Sequence, residues 1–413
     1  MEERARAAGR GDGQAGFTLL ELLIALTLTV AVGVLLLEAF QANAILARSQ
    51  LAVTELQQSL RVSLRDVARM VRGTGRGGLP RAVALEVAQN VPADTEIAGE
   101  AVVEGTDVLS LRGSFSSPIY RVDAADPTTF EIDGDTAQLV IDSTTRAGYS
   151  QPIDALRSLV DADLGTVRPE AILLVSRQSD DVYAVVELAD LTFSEVPLVE
   201  GNDDVMVERA TLTLNISDSA GERAAAYLGL SAGGTFPPGL TRVLYVSLIE
   251  EYRYFVRDEY SVLGDASTPP RPRLSRVRMV PGTDTFHPSA AGSVALADHV
   301  LDLQVALGID LDGDGEIDEE DADGVPLASD DDEWQFSHPD DDLTLAWDSS
   351  PLRLLRLSLL GQTPTPQRLH VSAPIDAVEN HPYDETTPTT AGEVRARSHR
   401  RWLLQGVVDL RNL

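Results

Sequence analysis

The sequence predicts an α+β protein: a long N-terminal helix, transmembrane in its first half and amphipathic in its second, followed by a large antiparallel β-rich globular domain. Three observations carry this. Residues 17–37 make an apolar run of 21 residues with one charge, Glu21. Beyond it, apolar residues keep a helical period as far as Val71, and Gly73-Thr74-Gly75-Arg76-Gly77-Gly78-Leu79-Pro80 then ends it. After Pro80 that period is lost, and short apolar runs alternate with Gly, Asp and Pro, the spacing of antiparallel strands.

The apolar run is long enough to span a bilayer, which takes about 20 residues. Its order is the reverse of a secretory signal, because the polar leader Met1–Gly16 comes first and the small residue Gly16 precedes the apolar run. Arg4, Arg6 and Arg10 in the leader favour a cytoplasmic N-terminus. A carboxylate inside such a run is costly and implies a partner for Glu21. In residues 38–79, Val53, Leu56, Leu60, Leu64, Val67 and Val71 share one helical face, with Arg48, Glu55, Arg61, Arg65, Asp66 and Arg69 largely between them. A continuous helix from Phe17 to Arg72 would be about 84 Å long. Gly73, Gly75 and Gly78 match GxGxxG, but a helix precedes them and Leu79-Pro80 follows, so they read as a helix stop and linker.

Gly16-Phe17-Thr18-Leu19-Leu20-Glu21 resembles the prepilin cleavage and methylation motif of type IV pilins and type II pseudopilins. The resemblance implies that residues 1–16 are a leader peptide, removed after Gly16 by a prepilin peptidase that methylates the amine of Phe17. It implies that Glu21 pairs with the N-terminal amine of a neighbouring subunit. A carboxylate and an amine that are each costly in hydrocarbon, and offset one another when paired, would fix the axial register between subunits.

In the β-rich region, residues 80–413, the candidate strands are Ala82–Val87, Asp107–Arg112, Gln138–Ile141, Ile172–Ser176, Val182–Leu188, Ala210–Ile216, Thr241–Leu248, Tyr252–Arg257, Val300–Leu307, Leu352–Leu359 and Val407–Leu410. One elongated β domain and two packed lobes both fit. Four stretches resemble PilW-type minor pilins in order: Gly105–Leu111, Glu251–Val256, His299–Asp310 and Val407–Asn412. That resemblance implies a non-enzymatic subunit that helps initiate, assemble or cap type IV pili. Its implied partners are other minor pilins, the major pilin, the assembly platform and the inner membrane, with the C-terminal domain first periplasmic and then on the pilus at the cell surface. The alternatives are a minor pseudopilin of a type II secretion system, similar to GspJ, and a calcium-dependent surface adhesin on a pilin anchor.

Composition narrows the remaining classes. With 65 acidic against 33 basic residues the net charge is −32, which opposes binding to nucleic acid. The absence of cysteine removes disulfides, Cys-ligated metals and thiol catalysis. Gly229-Leu230-Ser231-Ala232-Gly233 matches the nucleophile-elbow pattern, but Gly234-Thr235-Phe236-Pro237-Pro238 follows where a helix is needed. The six histidines show no paired metal-ligand spacing.

Within an acidic segment, residues 309–348, Asp310–Asp321 fits the calcium loop D-x-D-x-D-G. Asp310, Asp312 and Asp314 would supply carboxylates, Glu316 its carbonyl, Asp318 a water-mediated contact and Asp321 the closing ligand. Gly315 would allow the turn, and Ile317 would pin the loop inward. Asp321 in place of glutamate makes it resemble a dockerin-type loop. Trp334, Phe336 and Trp347 read as core anchors, and Arg271, Arg273, Arg276 and Arg278 as an offset to the acidity.

Overall fold

The computed structural model describes residues 18–123, 129–160, 165–168, 171–176, 182–199, 202–216, 229, 235–259, 271–310, 313–317, 333–338, 352–367, 370–383 and 385–410. It comprises two compact units divided after Thr54. In the first unit, helix α1 (Leu19–Gly73) begins, and the apolar side chains of residues 19–37 are all exposed. Among the described residues α1 is the one helix long and apolar enough to cross a membrane.

The second unit, from Glu55, starts with the end of α1. Here Leu56, Leu60, Val67 and Val71 are buried, as their spacing predicts, Leu64 packs beside them, and Met70 is buried as well. The glycine-rich stop folds back: Gly75, Gly77 and Gly78 take positive φ, a conformation open mainly to glycine, and Gly75 donates to the Arg112 carbonyl at 3.0 Å.

Pro80 opens a single helical turn, α2 (Arg81–Ala84), which leads into β1 (Leu85–Ala88). A small hairpin, β2 (Glu96–Ile97) and β3 (Glu100–Ala101), precedes β4 (Val108–Gly113), β5 (Ile119–Arg121), β6 (Phe130–Asp133) and β7 (Thr136–Asp142). After the turn α3 (Asp154–Arg157) come β8 (Ala171–Ser176), the long hairpin β9 (Tyr183–Val199) and β10 (Asn202–Asn215), then β11 (Val243–Glu259), β12 (Arg271–Met279) and β13 (Val294–Asp298). The chain continues through β14 (Val300–Ile309), β15 (Trp334–Gln335), β16 (Leu352–Gln362), the hairpin β17 (Ala377–Val378) and β18 (His381–Pro382), α4 (Ala391–Ala396) and β19 (Arg401–Asp409).

All described pairings are antiparallel, and within the second unit the strands enclose two separate hydrophobic cores, each of which, with its strands, is called a lobe. Strand β11 is shared. Its first half pairs with β5 and β8, and its second half with β4 and β12. The first half belongs to a lobe whose core includes Leu139, Ile141, Val186, Leu212 and Val246. The second half faces a different core, which joins the end of α1 to the four-stranded sheet β15-β14-β16-β19. Thr241–Leu248 and Tyr252–Arg257, expected as separate strands, are therefore one strand. The apparent polar break, Glu250-Glu251, is buried within it.

Two glycines let α1 lie against the sheet. A Cβ at Gly361 would come 2.9 Å from Leu56 Cδ1, and one at Gly406 would come 2.8 Å from Leu64 Cδ2. On the other flank of the helix Ser63 Oγ donates to the Leu296 carbonyl at 3.1 Å, and Asp66 Oδ2 accepts from Arg276 Nη1 at 2.9 Å and Tyr254 OH at 3.2 Å.

The buried charges of β11 are paired. Glu251 Oε2 accepts from Arg112 Nε at 2.7 Å and from the Gly282 backbone at 2.7 Å, while Oε1 accepts from Arg253 Nε at 2.8 Å. Arg112 also donates to the Val83 carbonyl and to Glu86. Glu250 Oε2 accepts from the backbone of Phe115 and Ser116. The arginines read as an offset to the acidity lie on strand β12, where Arg273 pairs with Asp298 and Glu259, Arg276 with Asp66 and Arg278 with Glu250.

Candidate functional site

Gly16 and Phe17 lie outside the described residues. The described chain starts at Thr18, one residue before the first turn of α1, and there Thr18 and Glu21 bind reciprocally. Glu21 Oε2 accepts from the Thr18 backbone N–H at 3.0 Å and its hydroxyl at 3.1 Å, and Glu21 N–H donates to Thr18 Oγ1 at 3.2 Å. This is a capping box, which satisfies backbone donors that a helix start leaves open. Sequence reasoning gave Glu21 one partner, in another subunit, and overlooked Thr18. The signal was present as T-x-x-E ahead of an apolar run. Within one chain, then, the carboxylate is already hydrogen-bonded and held at the N-terminal end of the helix, where the dipole favours negative charge.

Of the six candidate calcium ligands, Asp310, Asp314 and Glu316 are described, and Asp312, Asp318 and Asp321 lie outside the described residues. Asp310 directly follows the last residue of β14, with its carboxylate buried. Its Oδ1 accepts the Gly313 N–H at 2.7 Å, and Asp314 Oδ1 accepts the Glu316 N–H at 2.7 Å. Gly313 and Gly315 both take positive φ, +82° and +96°. Ile317 turns inward: its Cγ2 would be 3.2 Å from a Cβ at Gly308, next to the Trp334 ring. Arg353, which sequence reasoning did not consider, places Nη2 2.5 Å from Asp310 Oδ2. Among the described residues no three carboxylates or histidines converge as a metal site.

Trp334 and Phe336 are buried, as anchors should be, with the Arg356 guanidinium 4.5 Å from the Trp334 ring centroid; Trp347 lies outside the described residues. Of the Gly229–Gly233 pattern only Gly229 is described. His381 has an unforeseen role: its Nδ1 lies 2.8 Å from Asp302 Oδ2, which also accepts from Tyr383 OH at 2.9 Å. Burial and the adjacent Asp302 raise the Tyr383 phenol far above its ordinary range. These contacts tie the β17–β18 hairpin to β14, beside an open cleft of about 670 Å³.

Residues 12–37 match the prokaryotic N-terminal methylation motif. Among solved structures, the chain is similar to a type IV-like pilin from Thermus thermophilus, at 10% identity over 63% of this chain and 92% of that one. The TM-score of that likeness is 0.18. No curated protein matches the chain. Beyond the motif, the described chain is one long apolar helix followed by a large antiparallel β domain.

Proposed function

We propose that the chain is a PilW-type minor pilin, a non-enzymatic subunit that helps initiate, assemble or cap type IV pili. The observation that supports this most is the N-terminal motif at residues 12–37, leading into an apolar helix in which Glu21 is the only charge as far as Leu37. On this reading a prepilin peptidase cuts after Gly16, the helix anchors the chain in the inner membrane, and the β domain stands in the periplasm before joining other minor pilins and the major pilin. The test is mass spectrometry of mature protein from membranes and pili. The expected chain starts at Phe17 with a methylated amine, and an N-terminus elsewhere overturns the reading. Incorporation into a secretion pseudopilus instead of a pilus would assign it to the GspJ-like alternative.

We also propose calcium as a ligand of Asp310–Asp321. The reading rests on the residue order together with the Asp310–Gly313 turn, the two positive-φ glycines and the inward Ile317. Arg353 is then the competing cation on Asp310. Extracellular loops of this kind bind at about 10⁻⁴–10⁻³ M, and calcium at ten times its Kd would stabilise the folded form by about 1.4 kcal/mol. Calorimetry on the full chain in detergent should show millimolar calcium binding, tightened in Arg353→Gln and lost in Asp310→Asn/Asp314→Asn. Absence of calcium-dependent heat in both the wild type and Arg353→Gln would make the segment a solvated acidic turn.

A further inference from the structure

Strand β19 is the last strand of its sheet, and among the described residues no strand pairs with its outer edge. It pairs with β16 along its whole length without a register shift. The bonds Leu410 N–H to Arg353 and Thr363 N–H to Arg400 set the alternation of that ladder. Even-numbered residues therefore bond to β16, while Leu403, Gln405 and Val407 direct their N–H and C=O groups outward.

Folded proteins usually protect such edges by shortening them or by placing proline, lysine or a bulge there. The other edges are short or carry such a device: β1 and β6 have four residues, β13 five and β15 two, and the free side of β9 beyond Glu187 carries Pro197. β19 has nine, with no proline, lysine or bulge, and Leu403 and Val407 are about half exposed.

The neighbouring flank of α1 supplies charge. Leu64 sits on Gly406 of β19, whereas Ser63 and Asp66 face Leu296 and Arg276 on the opposite flank. At about 100° per residue, Arg61 and Arg65 then lie on the β19 side of the helix, and both are exposed. A basic flank beside that edge, in a chain of net charge −32, favours an acidic partner segment. A second copy of this chain would bring its own basic flank to the same edge.

We infer that the β19 edge, flanked by Arg61 and Arg65, takes an extended acidic segment of a different pilin-family subunit by strand addition. The inference rests on the minor-pilin reading. Main-chain hydrogen bonds from Leu403, Gln405 and Val407 would hold the added strand, Leu403 and Val407 would pack against its apolar positions, and the arginines would select for acid.

The test places a photocrosslinking phenylalanine analogue at position 403 or 407 of the full chain in its native host. Pili are then isolated and the cross-linked peptides sequenced. The expected result is one extended segment of another subunit, its contact sites from the two positions about four residues apart. Gln405→Pro removes an outward N–H and leaves the β16 ladder intact, so it should cut the cross-link about tenfold, the effect of losing one or two main-chain hydrogen bonds. Arg61→Glu/Arg65→Glu should also cut it, with the protein still folded by circular dichroism. Full incorporation into pili with no cross-link, or a cross-link to a second copy, overturns the inference alone. Absence from pili overturns the reading beneath it as well.

Discussion

Glu21→Ala is expected to leave leader removal and membrane insertion intact and to reduce the protein recovered in pili about tenfold or more. The structure allows that effect to be divided. Glu21 is both the charge that would meet a neighbour's amine and the carboxylate that caps its own helix through Thr18. Alanine removes both roles, and loss of a cap costs about 1 kcal/mol. Glu21→Gln keeps the capping geometry, since glutamine serves in a capping box, but removes the charge. If pairing with an amine is what counts, glutamine and alanine will be equally poor by immunoblot of sheared pili. If the cap is what counts, glutamine will match the wild type and Thr18→Val will be poor. Wild-type recovery of all three variants would remove Glu21 from assembly.

Arg112→Ala is expected to be the most damaging single change in the β domain. It leaves Glu251, which is fully buried, without its main counter-charge, a loss on the order of 3–5 kcal/mol. In thermal unfolding followed by tryptophan fluorescence the midpoint should fall on the order of 10 °C. Arg112→Met/Glu251→Leu should recover most of that, because removing both charges removes the desolvation cost with them.

The same pair predicts a pH dependence. Burial pushes the Glu251 carboxyl up, but Arg112 and Arg253 more than offset this and hold it below the usual value. A depressed carboxyl contributes stability above its unfolded pKa, about 4.3, and that contribution is lost as pH falls through the lower folded value. The wild type should therefore lose stability below about pH 4 more steeply than the double variant. Equal acid profiles would show that Glu251 does not titrate with unfolding.

What could be read from the sequence follows from what each segment is asked to bury. The end of α1 was legible because one face of a helix meets the core, giving Leu56, Leu60, Val67 and Val71 their spacing. β14 and β16 were legible as apolar runs bounded by turn residues. β11 was divided in error because Glu250 and Glu251 look like a break. Only the fold reveals that Arg112, Arg253 and the Phe115–Ser116 backbone compensate them. β12 was overlooked for the converse reason: its alternating arginines have partners on α1, β11 and β13 that lie far away in sequence. β19 was recognised only from Val407, since Trp402 and Leu403 are too exposed to mark a buried strand. At the candidate sites, the T-x-x-E cap and the Asp310–Gly313 contact are made between near neighbours in sequence and so could be read there. The Arg353 contact could not, because it is made across strands.

Strand β11 also has a mechanical consequence. A single unbroken backbone runs through both lobes, and the Glu250 and Glu251 carboxylates are clamped near its middle. A pull that separates the lobes acts along this strand, so it loads the hydrogen bonds to β4, β5, β8 and β12 together, in shear, and does not peel them one after another. Withdrawing β11 from its second-half partners would also split the buried pair, since Arg112 lies on β4 and Glu251 on β11. A filament subunit with this wiring would bear load as one piece.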